Sequence, residues 1–318
     1  MRVLLVKTSS LGDVVHNLPV VSDIRRHVEG AQIDWVVEEN FSAIPLLHPH
    51  VDRVIPVALR RWRKDWLNAV NRDQWRAFKS KLQERSYDFV IDTQGLLKSA
   101  MIVRAARGIR CGYDWQSARE PLATLAYRRK FNVAINLHAV ERNRQLVANV
   151  LGYETSAEPI YGLPVPEAAP NKAFQAPYVV FLHATSRADK EWREDNWIAL
   201  GKWFTERKIT CILPSGNEVE RQRAIRVAQK IPRAIALAPS TLHDVAALLA
   251  NAEAVVGVDT GLTHLACAFG KPTVAIYCNS DPALTGVYGS DRAVNLGGIG
   301  LQPSIDEVLQ AYARVGAR

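Results

Sequence analysis

The stretch over residues 254–264 constrains the fold more than any other part of this sequence. It reads AVVGVDTGLTH, so a short β-branched run ends in Asp-Thr-Gly and a helical pattern continues towards Phe269. Residues 270–272 (GKP) end that helix, and residues 273–277 have the composition of another buried strand. A strand that enters a helix through such a turn leaves the first helix amides free to bind an anion, preferably a phosphate or diphosphate. Asp259 could equally be a plain N-cap and His264 an ordinary histidine, so this stretch alone does not decide.

Strand and helix patterns alternate along most of the chain. Strands are predicted over 2–7, 33–37, 54–57 and 88–91, with helices over 14–26, 72–85 and 96–107. In the second half, strands are predicted over 178–183, 210–213, 234–237, 254–258 and 273–277, with helices over 196–207, 218–230 and 242–250. Such alternation predicts parallel sheets with right-handed crossovers, and therefore the α/β class.

A proline-rich passage over residues 164–177 interrupts this alternation and is the predicted linker. It divides the chain of 318 residues into two doubly wound α/β domains, 1–163 and 178–318. A C-terminal helix over 304–313 is a candidate to pack back on the first domain. Doubly wound sheets bind ligands at the carboxyl ends of their strands, so we expect the two domains to face a central cleft that holds the site.

Positive charge is concentrated in the first half of the chain. Residues 1–160 contain 24 Lys and Arg against 17 Asp and Glu, a net charge of +7, whereas residues 161–318 contain 16 against 15, a net charge of +1. We therefore expect the first domain to bind an acidic partner, for which nucleic acid, anionic lipid and an acidic small substrate all qualify. No apolar run is long enough to cross a bilayer and residues 1–10 do not form a signal peptide, so we expect a cytoplasmic protein. Four widely spaced cysteines without a CxxC pair indicate neither a disulfide framework nor a zinc site.

Four turns that follow predicted strands carry chemically useful side chains. Three lie in the second half, at residues 184–190 with two hydroxyls and two cations, 215–220 with Glu220 at a helix start, and 259–261. Hydroxyls, a lysine and helix amides suit a diphosphate, and a glutamate can bridge ribose hydroxyls. Helix capping alone would explain each turn, but three on βα units of one sheet favour a nucleotide site. The fourth turn fits a capping box and holds Asp13, which is either structural or a base for an acceptor hydroxyl.

Other nucleotide-binding patterns are missing from the sequence. There is no GxxxxGK[ST], and no GxGxxG follows the first strand, which disfavours a P-loop enzyme and a conventional dinucleotide dehydrogenase. Because Asp-x-Asp is also missing, we predict no protein metal site and no required cofactor, although a divalent cation could stimulate a reaction. Positive charge on a leaving diphosphate must then come from Lys190 and helix N-termini.

Residues 59–66 (LRRWRKDW) hold four cations and two tryptophans. This composition suits phosphates or carboxylates beside apolar groups. A solvated helix face with core-facing Trp62 and Trp66, and base stacking on single-stranded nucleic acid, are the alternatives. No nucleic-acid-binding motif is present, so we expect no nucleic acid partner. Residues 128–130 (RRK) form a second basic cluster that could extend the same field.

Ordered blocks along almost the full chain resemble glycosyltransferase family 9. They are VKTSSLGD at 6–13, DWVVEE at 34–39, RRWRK at 60–64, QGLLKS at 94–99, DWQSAREP at 114–121 and VDTGLTH at 258–264. The resemblance implies a GT-B architecture, with ADP-L-glycero-β-D-manno-heptose bound by the second domain and the acceptor by the first. It further implies inverting transfer to the Kdo of Kdo-lipid A, in lipopolysaccharide core synthesis. We expect a monomer, peripheral on the cytoplasmic face of the inner membrane and in contact with its anionic surface.

The resemblance also implies roles for individual residues. Asp13 matches the catalytic base, and Lys190 matches the lysine at the donor phosphates. Residues that match the surroundings of the diphosphate are Thr185, Ser186, Thr260, Gly261 and His264. Glu220 and Asp259 match ribose and sugar contacts, Ser240 falls at the adenine, and Arg60, Arg61, Arg63 and Lys64 match the region that grips the acidic acceptor.

Three other functions remain open at this stage. The first is a later heptosyltransferase of the same family, which acts on the heptosylated product. The second is a sugar-nucleotide epimerase, because that chemistry also uses two facing Rossmann-like domains. The third is a non-enzymatic module that binds a nucleotide or anionic lipid.

Overall fold

The computed structural model describes residues 1–65, 68–155, 158–166, 177–185 and 187–316. It contains two compact units, Met1–Gly162 and Leu163–Arg318, each built on a parallel sheet of six strands. Residues 167–176 of the predicted linker lie outside the described residues. None of the described helices has the length and apolar character that crossing a bilayer requires.

The first unit is a doubly wound sheet with helices along its connections. Its strands are β1 (Arg2–Val6), β2 (Gln32–Glu38), β3 (Arg53–Val57), β4 (Ser86–Asp92), β5 (Arg107–Tyr113) and β6 (Arg129–Phe131), in the order β3-β2-β1-β4-β5-β6. Its helices are α1 (Leu11–Val15), α2 (Leu18–His27), α3 (Ala43–Leu47), α4 (Leu59–Trp62), α5 (Ala69–Gln83), α6 (Leu97–Ala105) and α7 (Ala139–Leu151), with 3-10 turns at Glu39–Phe41 and Pro121–Ala126. This strand order is that of a Rossmann-like unit.

Two predictions for the first unit were wrong in detail. The helix predicted over 14–26 is two helices, because Pro19 lies in the first turn of α2 and fits the start of a new helix better than the interior of a long one. The helix predicted over 96–107 ends at Ala105, and Arg107 already begins β5. A Cβ on Gly108, which has φ +155°, would lie 2.3 Å from the carbonyl oxygen of Tyr87, so only glycine allows β5 to approach β4 so closely.

The second unit repeats the same topology. Its strands are β7 (Tyr178–Leu182), β8 (Thr210–Leu213), β9 (Ala234–Ala236), β10 (Ala254–Val258), β11 (Thr273–Tyr277) and β12 (Ala293–Gly297), in the order β12-β11-β10-β7-β8-β9. Its helices are α8 (Glu194–Glu206), α9 (Glu218–Ala228), α10 (Leu242–Ala250), α11 (Gly261–Ala268), α12 (Pro282–Thr285) and α13 (Ile305–Gly316), with a 3-10 turn at Ala188–Lys190. The predicted α/β class with two doubly wound parallel sheets is confirmed.

The core of the second unit explains why its strands are almost continuously apolar. All residues of β7, β10 and β11 are buried, as expected for parallel strands covered on both faces. Phe181 packs against Trp197 and Phe204, with ring centroids 5.1 and 5.8 Å away. The apolar side of α13 belongs to this same core, in which Val308 and Val315 are buried.

Each sheet has one place where the chain reverses its direction of winding. In the first unit it lies between β1 and β4, and in the second between β7 and β10. Helices that follow the two strands of such a pair leave on opposite faces of the sheet, which opens a crevice at the carboxyl ends. The turns after β1, β4, β7 and β10 are therefore where ligands are expected.

Candidate functional site

The crevice of the second unit is organised around Asp259, directly after β10. Its Oδ2 accepts hydrogen bonds from Lys190 Nζ at 2.6 Å and from Ser280 Oγ at 2.7 Å. His264 Nε2 lies 3.8 Å from the other carboxylate oxygen, and Thr185 Oγ1 donates to the Asp259 carbonyl oxygen at 2.9 Å. Residues from the turns after β7 and β10 thus come together, as the topology requires.

Asp259 is a fixed anion in this arrangement. Burial by itself would raise the pKa of its carboxyl group, but the interaction with His264 and the hydrogen bonds from Lys190 and Ser280 together hold that pKa well below its usual range. The side chains of Lys190 and Asp259 are 20% and 15% exposed, so the pair is shielded yet still open to a ligand. A diphosphate would bring further negative charge to the same lysine.

The first turn of α11 offers backbone donors beside this ion pair. Thr260 is the N-cap residue with extended backbone, and its side chain makes no capping hydrogen bond within the described residues. The amides of the first turn and the helix dipole then favour an anion at this end. Thr263 Oγ1 donates to the Val258 carbonyl oxygen at 2.7 Å, and a Cβ on Gly257 would lie 2.2 Å from Thr263 Oγ1, which accounts for the glycine in β10.

For three other residues predicted to bind the donor substrate, the connection to this crevice is less direct. Glu220 lies at the start of α9, after β8, where its carboxylate accepts from Gly216 N at 2.7 Å and from Asn217 Nδ2 at 2.8 Å. Ser240 is exposed after β9, and its hydroxyl donates to the Ala238 carbonyl oxygen. Ser186 lies outside the described residues.

In the first unit, Asp13 lies in the first turn of α1, after β1. Its Oδ2 accepts from Ser10 N at 2.7 Å and from Ser10 Oγ at 3.2 Å, and its Oδ1 lies 3.2 Å from Arg119 Nη2. The predicted capping role is therefore real. The contact with Arg119, 106 positions further along the chain, goes beyond capping and brings a second positive group to the carboxylate.

The electrostatic surroundings keep Asp13 ionised. Burial acts to raise the pKa of its carboxyl group, but the charges of Lys7 and Arg119 and the hydrogen bonds from Ser10 outweigh burial and lower it. Lys7 is itself buried, with Nζ 2.7 Å from the Thr93 carbonyl oxygen and 3.2 Å from Asn143 Oδ1. Burial lowers the pKa of Lys7 to about 8, so at neutral pH it still carries the charge that acts on Asp13.

Gln94 fixes the backbone that leads to Asp13. Its Oε1 accepts from Thr8 N at 2.7 Å and from Thr8 Oγ1 at 2.8 Å, and its Nε2 donates to the Ser9 carbonyl oxygen. Because Gln94 follows β4, the strand beside β1, these bonds join the two turns at the switch point. The carboxylate of Asp13 is thus held on a turn with little freedom.

The basic cluster near α4 divides into two groups. Arg61 forms a salt bridge with Glu39 at 3.2 Å and donates to Gln74 Oε1 at 2.6 Å, so its charge is already partnered. Arg60, Arg63 and Lys64 are exposed, with the Arg60 guanidinium 5.0 Å from the centre of the Phe41 ring.

Lys98 connects this cluster to the turn that carries Asp13. Its Nζ donates to Ser9 Oγ at 2.5 Å. Burial, and then the charges of Arg60 and Arg63 against that of Glu38, lower the pKa of Lys98, which shows that these cations share one field. An acidic ligand would be attracted to this part of the first unit.

The tryptophans of this segment serve the core as far as the structure describes them. Trp62 is 3% exposed, packs against Trp75 and Phe78, and donates to Gln74 Oε1 at 2.8 Å. The alternative in which tryptophans face the core is correct for this residue, and Trp66 lies outside the described residues. Since α4 ends at Trp62, Arg63 and Lys64 lie beyond the helix.

Several site residues were missed by the sequence predictions. Lys7 interrupted an apolar strand, and a buried lysine at a strand end is a signal for a functional charge. Ser280 follows β11, the neighbour of β10, so its position in the switch-point region could have indicated it. Lys98 and Arg119 were visible only as members of sequence blocks, since nothing local shows that they lie beside Asp13.

Comparisons with known proteins agree with this geometry. The sequence model of glycosyltransferase family 9 (heptosyltransferase) matches residues 75–311. Lipopolysaccharide heptosyltransferase 1 of Escherichia coli K12 is 46% identical over 298 residues, which cover 92% of this chain and 93% of the relative. The structure of E. coli heptosyltransferase WaaC with ADP superposes with a TM-score of 0.90 at 43% identity and covers 98% of both chains. WaaC with ADP-2-deoxy-2-fluoro heptose gives 0.88 at 44% identity, with the same coverage.

Two Rossmann-like units with parallel six-stranded sheets, together with these structural matches, define the GT-B architecture. The chain belongs to glycosyltransferase family 9, and it is a heptosyltransferase. The predicted enzyme class is therefore confirmed. Membership of this family leaves the epimerase and the non-enzymatic binding module without support.

Proposed function

We propose that this enzyme transfers L-glycero-D-manno-heptose from ADP-heptose to the Kdo of Kdo-lipid A, with inversion at the anomeric carbon. The observation that carries the proposal is the Lys190–Asp259 pair beside the first turn of α11, in a chain 46% identical to lipopolysaccharide heptosyltransferase 1. ADP and ADP-2-deoxy-2-fluoro heptose in the related structures support ADP-heptose as the donor.

The second unit binds the donor in this proposal. Lys190 and the amides at Thr260 and Gly261 contact the diphosphate, with Thr185, Ser186 and His264 around it. Glu220 binds the ribose hydroxyls, because it follows β8, the strand whose equivalent carries the ribose-binding acid in other Rossmann-like units. Asp259 holds Lys190 and contacts the sugar, and Ser240 lies near the adenine.

Asp13 is the base in this proposal. The acceptor hydroxyl oxygen forms a bond to the anomeric carbon while the bond from that carbon to the phosphate oxygen breaks, through an oxocarbenium-like transition state. The hydroxyl proton passes to the Asp13 carboxylate, and ADP leaves with the bonding electron pair. Lys190 and the α11 amides stabilise the charge that develops on the diphosphate. We propose that no cofactor is required, and that a divalent cation at most stimulates the reaction.

The first unit binds the acceptor. Arg60, Arg63 and Lys64 carry exposed positive charge that suits the carboxylate of Kdo and the phosphates of lipid A, and Lys98 extends this charge towards Asp13. Arg61 contributes less, because Glu39 and Gln74 already hold it. An acceptor of this kind is embedded in a membrane, so we propose a monomeric enzyme that is peripheral on the cytoplasmic face of the inner membrane.

One assay tests this proposal. Purified enzyme is incubated with ADP-heptose alone, with Kdo-lipid A and with heptosylated Kdo-lipid A, and ADP release and glycolipid mass are measured. We expect ADP release, and a glycolipid product heavier than its acceptor by one heptose, with Kdo-lipid A only. Product only with the heptosylated acceptor would instead identify a later heptosyltransferase of the family, and isomerised sugar without acceptor would identify an epimerase.

A variant pair tests the base. Asp13→Ala should lose transfer while its affinity for ADP, measured by calorimetry, stays near that of the parent enzyme. Asp73→Ala is the matched control, because Asp73 is an exposed aspartate on α5 whose contact is a surface ion pair with Arg76. Retained turnover in Asp13→Ala would contradict the role of this carboxylate.

A further inference from the structure

Two short helices of the first unit present large apolar side chains to solvent. On α6, Leu97 and Met101 are 47% and 46% exposed, whereas Ile102 and Val103 on the opposite side are fully buried. On the 3-10 turn Pro121–Ala126, Leu122 and Leu125 are 55% and 71% exposed. Each pair has the spacing of one helix face, i and i+4 on α6 and i and i+3 on the tighter turn. We call these four residues the apolar face.

The two helices that carry the apolar face pack directly against each other. Leu97 N donates to Glu120 Oε2 at 2.5 Å, which attaches the start of α6 to the residue before the 3-10 turn. Both exposed apolar pairs therefore lie on adjacent elements of the first unit. Patches of this kind on a soluble domain usually mark a binding surface, because exposing them to water is unfavourable.

Exposed positive charges follow the apolar residues on both elements. Arg104 is exposed on α6, three residues after Met101, and Arg128, Arg129 and Lys130 are exposed immediately after the 3-10 turn. The acidic side chain at this edge, Glu120, already accepts a hydrogen bond from the α6 backbone. Exposed leucines followed by exposed cations are complementary to an anionic bilayer, in which leucine side chains enter the acyl region and cations meet lipid phosphates.

We propose that the apolar face docks the enzyme on an anionic phospholipid bilayer. The chain connects the apolar face to the site of the proposed function, since Arg119, which contacts Asp13, directly precedes Glu120, which accepts from the backbone of α6. Docking here would bring the base close to the headgroup layer, where the hydroxyl of a glycolipid acceptor lies. Docking itself does not depend on which glycolipid is the acceptor.

Vesicle sedimentation tests the docking surface without any acceptor present. The full chain is mixed with vesicles of phosphatidylcholine alone or with 40% phosphatidylglycerol, a fraction of about that size being enough to give a negative surface. Binding to the anionic vesicles only, weakened by salt, is expected. Leu122→Gln/Leu125→Gln should lower the partition coefficient roughly tenfold or more, since both leucines would lose their place in the acyl region. Arg128→Gln/Arg129→Gln should lower it by a smaller factor that disappears in high salt.

Ile299→Gln/Leu301→Gln is the matched control, because these side chains of the second unit are 70% and 69% exposed, as much as Leu125. The proposal is overturned if Leu122→Gln/Leu125→Gln and this control both bind vesicles like the parent chain, or if both lose binding equally. Concentration-dependent dimerisation that the Leu122/Leu125 change abolishes would also overturn it, because a second copy would then cover the face. Transfer to a soluble, deacylated acceptor should be unchanged in Leu122→Gln/Leu125→Gln, which separates failed docking from failed catalysis.

Discussion

Removing Lys190 should destabilise the second unit as well as weaken donor binding. In Lys190→Met, the Asp259 carboxylate keeps its burial but loses the cation 2.6 Å away, and Ser280 Oγ remains as a donor to the same oxygen. Loss of one partner from a buried pair costs about 3–5 kcal/mol. The side chain of Asp259 is 15% exposed and still hydrogen-bonded, so we expect about 3 kcal/mol, which in a unit of this size corresponds to about 6–12 °C in Tm.

A variant of the other partner separates the interaction energy of the ion pair from the contribution of each residue. Asp259→Asn leaves a lysine that can turn towards water, so its cost should be smaller, about 1 kcal/mol. The double variant Lys190→Met/Asp259→Asn no longer buries an unpaired charge and should therefore be more stable than Lys190→Met alone. Thermal unfolding of the four proteins at pH 7.5 gives this cycle, and losses that simply add would refute the coupling.

The pH dependence of these stabilities tests the direction of the pKa shift of Asp259. The pKa of Asp259 is lower in the folded protein than its ordinary value of 3.8, so the stabilisation is present above that pH and is lost as the pH falls through the folded value. The difference in stability between the parent chain and Lys190→Met should therefore be constant at neutral pH and shrink under strong acid. A difference that grew on acidification would contradict the assignment.

Three further predictions concern the first unit and the metal requirement. In Lys7→Met, loss of the buried charge should raise the pKa of Asp13, so the acidic limb of the pH profile of kcat/KM moves to higher pH. A purely structural role of Lys7 would lower the rate at every pH without moving this limb. Arg60→Gln/Arg63→Gln should raise the KM for the acceptor about tenfold or more and leave the KM for the donor unchanged, with the exposed Arg76→Gln as control. EDTA should leave at least about half of the activity, because in the proposed mechanism Lys190 and helix amides stabilise the negative charge of the diphosphate. Complete loss of activity that Mg²⁺ restores would show a required metal.

The sequence was most informative where local pattern and topology coincide. Two of the three polar turns predicted in the second half come together, because Thr185 and Lys190 contact Asp259 where β7 and β10 are neighbours at the switch point. The third turn follows β8, and Glu220 there bonds within its own turn. It was least informative over residues 107–113. Their glycines and arginines interrupt any apolar period, so β5 was not predicted, and its pairing with β4 and β6 makes it a strand.

Side-chain partners across long sequence separations could not be predicted either. The sequence predicts Arg61 as a cation for the acceptor, and only the structure shows that Glu39 and Gln74 already contact it. Conversely, Lys98 and Arg119 had no local feature that indicated a site, and their importance comes from the turn at Ser9 and Asp13 that they contact. Composition indicated the positive charge of the first half, but only the fold shows which cations already have partners, as Arg61 does.

In the proposed mechanism, the surroundings of Asp13 indicate which property of its base the reaction needs. Lys7 and Arg119 lower the pKa of its carboxyl group, and a lower pKa makes a carboxylate a weaker base. An alcohol, however, becomes strongly acidic as its oxygen bonds to an oxocarbenium-like carbon, so even a weak base can take the proton late in the reaction. What such a reaction does require is a carboxylate that is always ionised and fixed in position, because an anion there also stabilises the positive charge on the sugar. The cations around Asp13 and its bonds to Ser10 meet both requirements, and the rate should therefore be nearly independent of pH across the neutral range.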